Sequence, residues 1–374
     1  MTGENPVGLD LETIRGLPKV LLHDHLDGGL RPLTIIELAR ERKIELPSSD
    51  PEELEAWFFR GANRGSLPLY LEGFGITCSL TQDTEALRRI ALERVEDLAA
   101  DGVVYAEIRF APILHIQGGL NLEQVMESVL GGIHRGCEKT GIDARVIVCA
   151  LRNMDPAISL EMAELAVDFR DRGVVGFDLA GDESGHPPKK HIEAFQYLRR
   201  CNFNITIHAG EAFGISSIWQ AIQYCGAHRI GHATRLVEDF AEHHGGQLSG
   251  GTLAKYILDK RISLEMCLSS NLHTGAIEDV KEHPFLRVLQ EGYRVTLNVD
   301  NYLMSATTLS SEWDLAQRVF GIGIDQFEIL ALNGAKGAFC GHSDRVALIR
   351  NSLLEAYADA RTKLGGEGIP VDAS

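Results

Sequence analysis

Eight short apolar or β-branched runs recur along this 374-residue chain, separated by amphipathic segments of helical period. In order they are KVLLHDHL (19–26), VVYAEIRFA (103–111), RVIVCALR (145–152), VVGFDLAG (174–181), FNITIHAG (203–210), RIGHA (229–233), ISLEMCLSS (262–270) and VTLNVD (295–300). Helical spacing fills intervals such as 31–43, 85–102, 157–173, 189–202 and 251–261, and several of these close on glycine. Each interval is long enough for a crossover to a parallel neighbour. The alternation predicts an α/β fold, a (β/α)8 TIM barrel, with extra helices in the long stretch 27–102 after the first strand. A doubly wound sheet would carry a glycine-rich phosphate turn after its first strand, and neither GxGxxG nor GxxxxGK[ST] occurs there. No Pro/Ser-rich linker divides the chain. A single domain over 1–374 is therefore expected, with only the ends MTGENPVG and GGEGIPVDAS loose.

In a β/α barrel the C-terminal ends of the strands gather at one rim, where active sites are built. Here those ends carry His23 and His25; Gly181, Asp182 and Glu183; His208 and Glu211; His232; Glu265 with Ser269 and Ser270; and Asp300. In an extended run, alternation turns His23, His25 and Asp27 to one face and Asp24 to the other. Taken alone, the HxH pair reads equally as a polar strand end or as two ligands aimed at one point. His208, His232 and Asp300 could each cap a strand for local reasons, but so many coincidences at one rim favour a shared site. Three or four histidines with an aspartate suit a divalent metal of borderline softness, zinc above others. Such an ion lowers the pKa of a bound water from 15.7 to about 7 and favours hydrolysis. Glu211 is then the candidate acid for the leaving side, its other reading being a helix N-terminal acid. His228 and His186 read as solvated polar residues, His273 as a loop residue with at most a minor site role, and Asp24 as structural.

Charge narrows the partners. The chain has 53 acidic and 36 basic residues, a net charge of −17, and no Lys/Arg cluster beyond pairs such as Lys189-Lys190. A nucleic-acid backbone would need a concentrated basic face, so none is expected to bind. The seven cysteines are scattered without a CxxC pair and read as reduced thiols. The N-terminus lacks a basic and apolar leader, and no stretch approaches bilayer length; a cytoplasmic protein without membrane contact is expected. The oligomeric state is not legible.

In sequence order the motifs HDHLDG, LAGDE, TIHAGE, RIGH and LNVD resemble the adenosine deaminase family, over about residues 16 to 345. The resemblance implies a (β/α)8 barrel with one Zn2+ per chain, and replacement of a purine 6-amino group by oxygen with release of ammonia. It implies metal ligation by His23, His25, His208 and Asp300. It makes His232, assisted by Asp300, the residue that orients and deprotonates the attacking water, and Glu211 the donor to purine N1. The Gly181 N–H would contact N3, Asp27 the ribose 5′-hydroxyl, and position 301 purine N7. The stretch LPLYLEGF (67–74) resembles the family's helical gate, so Leu67, Tyr70, Leu71 and Phe74 form either an apolar lid over the sugar or a core-facing helix stripe.

Two departures stand out. Asn301 replaces a second aspartate common in the family, although its amide can donate to N7 without a shifted pKa. Leu268 stands where proline is common. LDG after the second histidine resembles members acting on nucleosides, so the expected substrates are adenosine and 2′-deoxyadenosine. Adenine, another 6-aminopurine nucleoside, an amide or ester hydrolase on the same barrel, or a binding-only relative are the alternatives. The zinc deaminases with an HxE…PCxxC signature are a different class.

Overall fold

The computed structural model describes residues 8–242 and 248–364. Of the ends expected to be loose, residues 1–7 and 365–374 lie outside them. Eight parallel strands match the eight runs: β1 (Lys19–His25), β2 (Val103–Phe110), β3 (Asp143–Leu151), β4 (Val174–Ala180), β5 (Thr206–Ala209), β6 (Arg229–His232), β7 (Ser263–Met266) and β8 (Val295–Leu297). They pair in chain order as two four-stranded halves, β1 to β4 and β5 to β8. Single parallel bridges join the halves at both seams, Asp24 with Asp300 and Phe177 with Ile205. The eight strands thus form a ring.

Local signals explain the boundaries of the covering helices. Asp83 accepts from the N–H groups of Glu85 and Ala86 to start Thr84–Ala100, and Asn121 with Gln124 forms a capping box that opens Leu122–Thr140. The latter helix ends at Gly141, whose φ of 82° costs a glycine nothing. The stretch after β1 holds the extra helices, including Pro32–Arg42, Pro51–Ala62, Leu67–Tyr70 and Phe74–Leu80. Apolar side chains from strands and helices form one large core, with a small separate cluster of Ala111, Cys149 and Ala180.

Three features differ from the sequence expectation. The seventh run is not a strand to 270: β7 stops at Met266, and Leu268–His273 is a short helix closed by the Asn271 N–H on the Cys267 carbonyl. The eighth strand ends at Leu297, because Asn298 turns its side-chain oxygen to the Leu22 N–H at 3.0 Å and interrupts the ladder. A small antiparallel pair, Phe240–Glu242 with Leu248–Gly250, follows β6.

The interior of the ring is charged. Arg109 donates to Asp178 (2.7 Å) and Glu265 (2.9 Å), while Arg229 pairs with Glu265 (2.5 Å) and Glu107 (2.6 Å). All five side chains are essentially buried. Buried charges persist only when paired and hydrogen-bonded, and this chain of partners meets that condition. It also puts carboxylates directly beneath the rim.

Candidate active site

The rim assembles the residues that the strands carry separately. One ligand atom from each of His23, His25, His208 and Asp300 lies within 4.8 Å of the other three, and all four residues are buried. His23 Nε2 is 3.2 Å from Asp300 Oδ1, and His25 Nε2 is 3.2 Å from His208 Nε2. Behind them, His23 Nδ1 donates to Glu265 at 2.9 Å and His208 Nδ1 to Asp178 at 3.1 Å. Each of those Nδ1 atoms therefore keeps its proton, and each Nε2 turns a lone pair inward. Lone pairs facing a carboxylate and another imidazole repel unless a cation lies among them, so the donor set fits a divalent metal. Asp178 was passed over in the sequence and Glu265 was named only as a polar group at the rim, each being a single charge inside an apolar strand. That placement was itself a signal, since a charge buried mid-strand needs a partner.

Electrostatics follow from burial and neighbours. Burial would raise the Asp300 carboxyl, but His23 and the other histidines around it hold it well below its usual range. Burial opposes Glu265 and Asp178 in the same way, and Arg109 helps hold both ionised. The Glu211 carboxyl moves the other way: burial first, then Asp300 and Glu183, push it well above the carboxylate range. Burial thus favours its protonated form over the carboxylate. Thr274 Oγ1 donates to its Oε1 at 3.0 Å, leaving Oε2 3.6 Å from His232 Nε2. The loop that carries Glu211 is held by Glu183, whose carboxylate accepts from the N–H groups of Gly210, Glu211, Ala212 and Phe213 at 2.7–3.0 Å.

His232 has a one-way chain of hydrogen bonds behind it. The Phe285 N–H donates to His283 Nδ1 (3.1 Å), so neutral His283 carries its proton on Nε2 and donates to Asn271 Oδ1 (3.1 Å). The Asn271 amide then donates to His232 Nδ1 at 3.0 Å. Burial drives His232 well below the usual histidine range, so it is neutral and its single proton sits on Nε2, facing the cavity. Both His232 (φ 66°) and Asp300 (φ 65°) occupy the left-handed region, which costs a non-glycine residue roughly 1–3 kcal/mol and is common where a site over-determines its side chains.

A cavity of about 220 Å³ opens over this cluster. His25, Asp27, Gly181, His208, Glu211, His232, Asp300 and Asn301 line it, together with Leu67, Tyr70, Leu71 and Phe74 from the helical segment after β1; His23 lies behind. Those four apolar residues thus face the cavity, Tyr70 also bonding Ser305 Oγ at 2.9 Å. Gly28 is needed for Asn301: a Cβ there would lie 1.9 Å from Asn301 Oδ1. Leu114, Leu151, Asn153 and Cys149 also line the wall, unforeseen because each looks like an ordinary strand or turn residue. Asp24 points away into a buried bidentate pair with Arg94, both contacts 2.7 Å. His273 packs edge-on to Phe59 at 5.1 Å outside the cavity. His228 is exposed, as expected, yet its Nδ1 accepts from the Ile205 N–H. His186 is only half-buried and does not line the cavity.

Comparison with known proteins gives concordant results. The family model described as adenosine deaminase matches residues 18–354. An adenosine deaminase of Mycobacterium leprae is 49% identical over 356 residues, covering 94% of this chain and 98% of its own. The solved Arabidopsis ADAL complexed with IMP is 28% identical with a TM-score of 0.79, covering 94% of this chain and 99% of its own. A zinc-bound Burkholderia amidohydrolase, 22% identical with a TM-score of 0.84 and covering 97% of each chain, shares the fold. A match over most of the chain, with half the residues identical to a full-length relative, places this protein in the adenosine deaminase family.

Proposed function

We propose that the chain hydrolyses adenosine and 2′-deoxyadenosine to inosine and 2′-deoxyinosine, releasing ammonia, as a purine-salvage enzyme of the cytoplasm that uses one zinc ion. The observation that carries this reading is the buried Glu211, its carboxyl pushed up by that burial, sharing one cavity with the His23, His25, His208 and Asp300 donor set. Those four residues would hold the ion. When bound, zinc supplies a hydroxide equivalent at neutral pH, the pKa of water falling from 15.7 to about 7.

The chain's own groups do the rest. Glu211 donates its Oε2 proton to purine N1, which withdraws electrons from C6 and opens it to attack. His232 offers Nε2–H and orients the attacking water as a donor. That direction revises the expectation that His232 deprotonates the water, since the Asn271 amide already occupies its only lone pair. Asp300, held ionised, is left as the proton acceptor. Asn301 faces N7, the Gly181 N–H faces N3, and Asp27 holds the 5′-hydroxyl.

The cavity wall separates nucleoside from nucleotide. Among the described residues no lysine or arginine lines it, and the sugar end presents Asp27, so a 5′-phosphate would meet an acid and no cation from them. A substrate panel of adenosine, 2′-deoxyadenosine, adenine and AMP on enzyme of known zinc content tests the reading, with absorbance loss matched to ammonia release. The two nucleosides should be turned over far faster than AMP or adenine; AMP as the best substrate would overturn it. Replacing Glu211→Gln should cost on the order of 10²–10⁴ in kcat.

A further inference from the structure

A second set of ligating atoms meets at the sugar end of the cavity. Asp27 lies in the turn after β1, Cys78 on the helix Phe74–Leu80, and His115 closes the helical turn Pro112–His115 after β2. One ligand atom from each lies within 4.8 Å of the other two. Their proton positions can be read from the neighbours. Thr81 Oγ1 spends its hydrogen on the Thr77 carbonyl at 3.0 Å, so it accepts from His115 Nδ1 at 2.9 Å, where the Thr81 carbonyl also lies at 3.1 Å. Nδ1 is therefore protonated, and Nε2 carries the lone pair.

Among the described residues that Nε2 has no hydrogen-bond partner, although His115 is only 1% exposed. Asp27 Oδ1 is likewise unpartnered at 3% exposure, its other oxygen accepting from the Ala111 N–H at 3.2 Å. A buried acceptor without a donor costs about 1–3 kcal/mol. Two such acceptors beside a thiol make a ligand set. We propose that Asp27, Cys78 and His115 form a second divalent-metal site, taking a thiophilic ion such as zinc or cadmium, separate from the histidine and Asp300 cluster.

The chemistry is consistent at each ligand. Zinc accepts sulfur, nitrogen and oxygen donors at about 2.0–2.3 Å, and a ligand histidine usually donates its other N–H to a carbonyl, as His115 does to Thr81. Cys78 binds as thiolate, its proton leaving to solvent as the metal–sulfur bond forms, so occupancy rises with pH. The three ligands come from the lid helix and two rim loops. An ion there fastens the lid to the rim and takes Asp27 from the sugar, so it acts as a competitive inhibitor. Only this last consequence rests on the proposed ribose contact of Asp27.

The test uses full-length protein carrying one equivalent of zinc, titrated with Co2+. The histidine and Asp300 cluster contains no sulfur, so a thiolate-to-cobalt charge-transfer band reports the second site alone. A second equivalent with that band is expected in the wild type. It should vanish in Cys78→Ala and weaken in His115→Gln, both of which keep their zinc and their basal activity. Apparent KM for adenosine should rise on the order of tenfold with occupancy, at unchanged kcat, in the wild type and not in Cys78→Ala. Binding that stops at one equivalent, a second equivalent without the band, or a band that persists in Cys78→Ala would overturn the site. The band with an unchanged KM would instead refute the Asp27 sugar contact and the inhibition, and leave the metal site standing.

Discussion

Gly28 exists for the residue across from it. A methyl group there would lie 1.9 Å from Asn301 Oδ1 and 2.9 Å from Phe74 Cζ, so Gly28→Ala must displace both the amide proposed to face N7 and an aromatic ring that lines the cavity. Losing one such polar contact is worth about 1–3 kcal/mol, or roughly 5- to 150-fold in kcat/KM. The loss should fall mainly on KM, with zinc content unchanged, because the cluster of ligands is not touched; steady-state kinetics with metal analysis on one preparation would show it. A variant that loses its zinc would mean that the clash spreads to β1. At this scale the sequence was informative about types and weak on partners. Strand ends named His23, His25, His208, His232 and Asp300, and Glu211 followed from its place beside a histidine. What made Gly28 indispensable lies 273 positions away at Asn301, and no local pattern records that distance.

The short helix Leu268–His273 shows what an element adds. It was hidden inside an apolar run that looked like the end of a strand, since Leu268 and Ser269 suit either conformation. Once helical, its Ser270 hydroxyl reaches Asp300 and its Asn271 amide reaches His232, while Thr274 just beyond reaches Glu211. One turn of helix therefore touches three of the proposed catalytic groups. Asn271→Asp isolates the tautomer effect, because a carboxylate accepts from His232 Nδ1 where the amide donates, and Nε2 then loses its proton. The expected result is a fall in kcat of about 10²-fold with zinc retained, a loss comparable to removing one positioned donor. Nitrogen-15 shifts of the His232 ring in the metal-free protein should move the proton from Nε2 to Nδ1. A kcat within a few-fold of wild type would return the base role to His232. The strands and most covering helices were legible because periodicity is local; this helix was not, because its function depends on contacts with three other strands.

Across the whole molecule, burial of neutral histidines sets an acid limit on stability. Burial lowers His115 and His273 to about 4 and His283 to about 3, against 6.5 for an exposed ring. Below pH 6.5 the unfolded chain protonates these rings while the folded one does not, so stability falls as pH drops and the loss ends only near pH 3–4. Each ring contributes roughly 1.4 kcal/mol per pH unit inside that window, and three together on the order of 4. Against a typical total of about 5–15 kcal/mol, such a slope removes much of the stability within about two or three pH units. His273 is the ring to remove, because its Nδ1 has no partner among the described residues and its ring packs edge-on against the apolar Phe59. His273→Leu should therefore flatten the plot of unfolding free energy against pH by one proton between pH 4.5 and 6, on the order of 1.4 kcal/mol per unit, with little change at pH 8. Contributions from the metal-site histidines are common to both proteins and cancel in the difference. Equal slopes would mean that the His273 ring takes up its proton in the folded chain, and that its cavity beside Phe59 admits water.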